Sequence, residues 1–115
     1  MDRAALLSAL IRHEAPLDKV VMQLAELPPA PVSPDAPPAA TLTRQDISAI
    51  LDRYVLGELT AADVARWAAL VECREDIQFE PRHEEVIADA LYDLANQDIL
   101  PLSEILDDVR FLLGV

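Results

Sequence analysis

Glycine is nearly absent from this 115-residue chain, which has two, Gly57 and Gly114. That scarcity excludes the glycine-rich loops that cradle phosphate groups and the strand-to-helix turns that build oxyanion holes. Cysteine occurs once, at Cys73, so an intrachain disulfide is impossible and a cysteine-based metal site has no second thiolate. Aromatic residues make up 4% of the chain and Lys19 is the single lysine, which leaves no basic–aromatic stripe for stacking nucleic acid bases. No run approaches the roughly 20 apolar residues of a membrane span. The start, MDRAALLSALIRHE, is too short in its apolar run and too amphipathic for a secretory signal, so a cytoplasmic location is expected.

Present in excess are alanine and acid. Alanine, leucine and arginine favour helix, and the β-branched and aromatic residues that fill strands are sparse. The chain carries 21 acidic residues against 9 Lys and Arg, a formal net charge of -12. A field of that sign opposes nucleic acid and anionic membranes as partners and favours a basic protein surface. The charge is uneven. Residues 1–41 hold five acids and three bases, whereas residues 42–115 hold sixteen acids and six bases.

The apolar spacing predicts an all-α protein of six helices with no credible strand. Leu6, Leu7, Leu10 and Ile11 share one face of a first helix that Asp2 can cap. Glu14 and Ala15 form a bend and Pro16 opens a second helix, lined by Leu17, Val20, Val21, Leu24 and Leu27. Residues 1–27 therefore read as an N-terminal helical hairpin. Residues 28–41 read as a proline-rich linker, since PPAPVSPDAPPAA favours extended polyproline geometry. Its P-x-x-P spacings, such as Pro28/Pro31 and Pro31/Pro34, lack the flanking arginine of a recognition motif.

Residues 42–115 read as an acidic four-helix bundle-like domain, the whole chain forming one compact unit. Thr43 with Asp46, and Thr60 with Asp63, have the spacing of capping boxes. Ile47, Ile50, Leu51, Tyr54 and Val55 line the first of these helices, which Gly57 stops. Val64, Trp67, Ala68 and Val71 line the next, with Leu70 at its edge, and the short turn makes the two antiparallel neighbours. In REDIQFEPR, Ile77 and Phe79 alternate with polar residues, so the segment is extended and tucks both beneath the bundle. Pro81 then opens a helix with Val86, Ile87, Ala90, Leu91 and Leu94 inward, ended by Asn96, Gln97 and Asp98. Ser103 caps the last, with Ile105, Leu106, Val109, Leu112 and Leu113 on its core face and Gly114 as its stop.

Few residues offer chemistry. Cys73 and His83, with Glu84 or Glu85 to orient them, have the types of a nucleophile–base pair, but a partly buried, inert thiol fits the position better. His83, Glu84, Glu85 and Asp89 lack both the H-E-x-x-H and the Glu-x-x-His spacing of helical metal sites, and no calcium loop pattern occurs. Neither a catalytic residue nor a cofactor or metal is expected. Glu72, Glu75, Asp76, Glu80, Glu84 and Glu85 fall within fourteen residues, opposed by Arg74 and Arg82. Glu85, Asp89 and Asp93 continue the acid at i, i+4, i+8, where like charges repel by about a few tenths of a kcal/mol per pair. These eight carboxylates are the candidate partner-binding surface. A solvated face is the plainer reading of the same residues.

The segment RYVLGELTAADVARWAALVECRED, Arg53–Asp76, joins an aromatic-bearing helix through G-E-L-T-A-x-D to an amphipathic helix. In this it resembles small helical bacterial immunity proteins of the colicin D type. The resemblance implies a compact acidic bundle that neutralises a basic toxin by covering its cleft. The N-terminal hairpin and proline-rich segment lie outside that pattern, and the paired tyrosines of DNase-colicin immunity proteins are missing, so no individual binding residue carries over. The expected function is thus a non-enzymatic protein-binding module, an immunity protein by that resemblance. The alternative is a structural or regulatory subunit that docks through apolar helix faces, with the hairpin as its docking element.

Overall fold

The computed structural model describes residues 3–27, 40–74, 77–97 and 101–114. Among them the order is α1 (Arg3–Arg12), α2 (Leu17–Ala25), β1 (Ala40–Leu42), α3 (Arg44–Val55), α4 (Ala61–Glu72), β2 (Ile77–Phe79), α5 (Glu84–Ala95) and α6 (Leu102–Leu113). The mostly helical character agrees with the sequence. None of these helices is long and apolar enough to cross a membrane.

Local signals set the helix ends. Thr43 Oγ1 accepts from the Asp46 amide while Asp46 Oδ2 accepts from the Thr43 amide, at 3.2 and 2.9 Å, so both orphan donors at the start of α3 are satisfied. Thr60 and Asp63 repeat this reciprocal bond at α4. Gly57, at φ 82°, ends α3 in the left-handed conformation, and the Gly57 and Glu58 amides turn back to the carbonyls of Tyr54 and Arg53. The same geometry closes α1 without a glycine. His13 takes φ 53°, and the His13 and Glu14 amides donate to Leu10 and Ala9.

One core runs through all the elements. Leu7, Leu10, Leu42, Ile47, Leu51, Trp67, Ile87, Leu91, Leu94, Leu102 and Leu113 are fully buried, and no polar or charged residue is buried among the described ones. α1 and α2 pack on each other, and α1 also meets α3, α4 and β1. Trp67 fastens that contact. Its Nε1 donates to the carbonyls of Leu10 and Ile11 at 2.9 and 3.1 Å, and Arg53 Nη1 donates to those of Arg12 and His13 at 3.0 and 2.9 Å. Four successive carbonyls at the end of α1, which its own helix cannot fully satisfy, thus receive donors from α3 and α4.

The structure corrects the sequence reading at several points. Two strands do form: β1 pairs with β2 in parallel, Thr41 opposite Gln78 and Leu42 opposite Phe79. Parallel neighbours need a long crossover, here α3 and α4, so no hairpin turn betrays them in the sequence. β1 begins at Ala40, inside the stretch read as linker, and residues 28–39 with their P-x-x-P spacings lie outside the described residues. So do Asp2 and Asp98. Pro81 does not open a helix. It precedes Arg82 in a turn at φ 73°, and α5 starts at Glu84 after His83. Ser103 is not a cap either, because Pro101 holds that position with an extended backbone and Ser103 lies inside α6. Val55, placed on the core face, is exposed, since it falls at the edge of the stripe defined by Ile47, Ile50 and Leu51. α4 packs chiefly on α5 and touches α3 more lightly.

Candidate functional site: the outward face of α5

The acid-rich exit from α4 divides into residues the fold uses and residues it leaves to solvent. Glu72 is the last residue of α4 and is exposed. Glu75 and Asp76 lie outside the described residues. Glu80 is structural. Its Oε1 accepts from the backbone amide of Arg44 at 3.1 Å and from Arg44 Nε at 3.2 Å, and both side chains are about three-quarters covered. Glu80 thereby serves a donor in the first turn of α3, where a carboxylate also meets the positive end of the helix dipole. The Arg44 amide, with a smaller contribution from its guanidinium, holds the Glu80 carboxyl below its ordinary pKa. Arg44 Nη1 reaches on to the Leu113 carbonyl at 3.3 Å, so one arginine ties together α3, the exit of β2 and the end of α6.

The other four candidates sit together. Glu84, Glu85, Asp89 and Asp93 are exposed on α5, whose opposite side buries Ile87, Ala90, Leu91 and Leu94 in the core. At 3.6 residues per turn, Glu85, Asp89, Tyr92 and Asp93 form one stripe pointing away from that core. Tyr92 is 60% exposed within it. α5 has no lysine, arginine or histidine, and among the described residues no ion pair reaches its four acids.

Several arginines elsewhere are engaged by the fold. Arg110 Nη2 pairs with Asp52 at 2.7 Å, Arg66 pairs with Asp18, Arg12 lies 3.7 Å from Glu14, and Arg44 and Arg53 hold the contacts already given. At least four of the six arginines of residues 40–114 are thus engaged by the fold, while exposed Arg82 stands two residues before Glu84, and within α5 itself no base offsets the acids. Tyr92 was missed in the sequence reading. Its position three residues after Asp89 and seven after Glu85 put it on the polar side of the helix, a signal available from spacing alone.

Cys73 follows the last residue of α4 and is exposed, rather than partly buried as expected, because the helix stops before a further turn could cover it. No hydrogen bond joins it to His83, whose own side chain does not cap α5. Among the described residues no three of His, Cys, Asp and Glu converge as metal ligands. A cleft of about 230 Å³ opens between α1 and β1, lined by Ala4, Ser8, Ile11, Arg12, Ala40, Thr41 and Asp46. Asp46 is held there by its capping bonds to Thr43.

Compared with family models, with characterised proteins and with solved structures, the chain matches none.

Proposed function

We propose that this chain is a non-enzymatic protein-binding module that docks the outward face of α5 on a basic protein, blocking it sterically and electrostatically. The observation that carries the reading is the makeup of that face: three exposed carboxylates, Glu85, Asp89 and Asp93, in one stripe with an exposed tyrosine, on a helix without a single base. Glu85 in the first turn suits the positive end of the helix dipole, but Asp89 and Asp93 lie beyond it and repel each other slightly, so the helix's stability supplies no reason for those two. A cationic surface does. Carboxylates steer it in at long range, and a tyrosine ring offers apolar area and a face for a guanidinium at little entropic cost. A basic toxin met in the cytoplasm is the partner that the resemblance over Arg53–Asp76 suggests.

The hairpin reading is the weaker of the two. The apolar face that would have to dock, Leu6, Leu7, Leu10, Leu17, Val20 and Leu24, is buried in the chain's own core.

The protein encoded beside this one is the first partner to test, by stopped-flow association at several salt concentrations. Replacing Glu85, Asp89 and Asp93 together by their amides is expected to slow association about tenfold or more at low salt, with the difference closing as salt rises. Rates indifferent to both the substitutions and the salt would refute the assignment. Glu80 is unsuitable for such a test, because reversing its charge would disturb the start of α3.

A further inference from the structure

We draw no further inference here: the strongest candidate, the outward face of α6 where Phe111 stands 89% exposed among Glu104, Asp107 and Asp108, is one apolar side chain in an acidic cluster, and nothing in the structure shows what covers it.

Discussion

Replacing Trp67 by Phe tests whether α1 and α2 are held by the rest of the fold or merely rest on it. The indole is fully buried, and its Nε1 is shared between the carbonyls of Leu10 and Ile11. Leu10 keeps a second donor, the His13 amide at 3.2 Å, so the main loss falls on Ile11. A buried acceptor left without its donor costs about 1–3 kcal/mol. The smaller ring leaves space worth about 1 kcal/mol more. The expected loss of roughly 2–4 kcal/mol is a large share of the ~5–15 kcal/mol that holds a typical domain together. Urea unfolding followed by far-UV circular dichroism measures it, since the variant has no tryptophan left to report by fluorescence. Arg53→Met supplies the comparison. Its bonds to Arg12 and His13 are only partly buried, and water can replace them, so about 1 kcal/mol or less is expected. If Trp67→Phe costs no more than Arg53→Met, the buried carbonyl bonds do not fasten α1, and the reasoning fails.

The remaining predictions concern caps, charge and pH. Thr43→Ala and Thr60→Ala should each cost about 0.5–2 kcal/mol in thermal unfolding, because each removes one half of a reciprocal cap. Gly57→Ala should lose about 1–2 kcal/mol through backbone strain alone, since φ is 82° and a Cβ there would touch nothing within 4 Å. Neutralising Asp89 and Asp93 together should leave stability unchanged or raise it by a few tenths of a kcal/mol; a large drop in melting temperature would show that the face serves the fold. Asp63 and Glu80 both have lowered pKa values, Asp63 chiefly through the Thr60 amide and Glu80 chiefly through the Arg44 amide. Their stabilisation is therefore fully present above the ordinary carboxyl values of 3.8 and 4.5 and is lost as pH falls through the lower folded values. In Glu80→Gln, the urea midpoint should fall less steeply with acid than in the parent chain. Equal slopes would refute the link.

What the sequence disclosed and what it hid follow from how local each determinant is. The Thr43 and Thr60 caps, the Gly57 stop and the stripe Ile87, Ala90, Leu91, Leu94 all act within one or two turns of chain, and each is found as expected. The β1–β2 pair is the opposite case. It joins residues 37 apart over three residues each, and the alternation of Ile77 and Phe79 announces an extended segment but not its partner. Pro81 misled because proline suits both the first turn of a helix and a turn before one, and only the left-handed Arg82 decides between them. Glu80 was grouped with the acids around it because its partner, Arg44, is 36 residues away.

The division of labour among charges follows from the same contrast between local and distant partners. Eight of the nine basic residues are arginine, whose planar fork can satisfy several acceptors at once. Arg44 serves a carboxylate and a carbonyl on two different elements, and Arg53 serves two carbonyls at the end of α1 while lying 3.8 Å from Glu58. Arginines that close helix junctions, as Arg44 and Arg53 do, cannot also screen acids elsewhere on the surface. The chain's acids are then left exposed where no junction lies nearby, and α5, which turns its whole polar side to solvent, is such a place. Solubility needs acid somewhere on the surface, but it does not need a tyrosine in the middle of it. The combination, more than the charge, is what supports the proposed docking face over a merely solvated one. Tyr92→Ala therefore discriminates better than any charge change: it should weaken a bound partner by slowing association little and speeding dissociation several-fold, the reverse of what removing the carboxylates does. A dissociation rate unaltered by Tyr92→Ala would leave the acids as steering charges and remove the tyrosine from the contact.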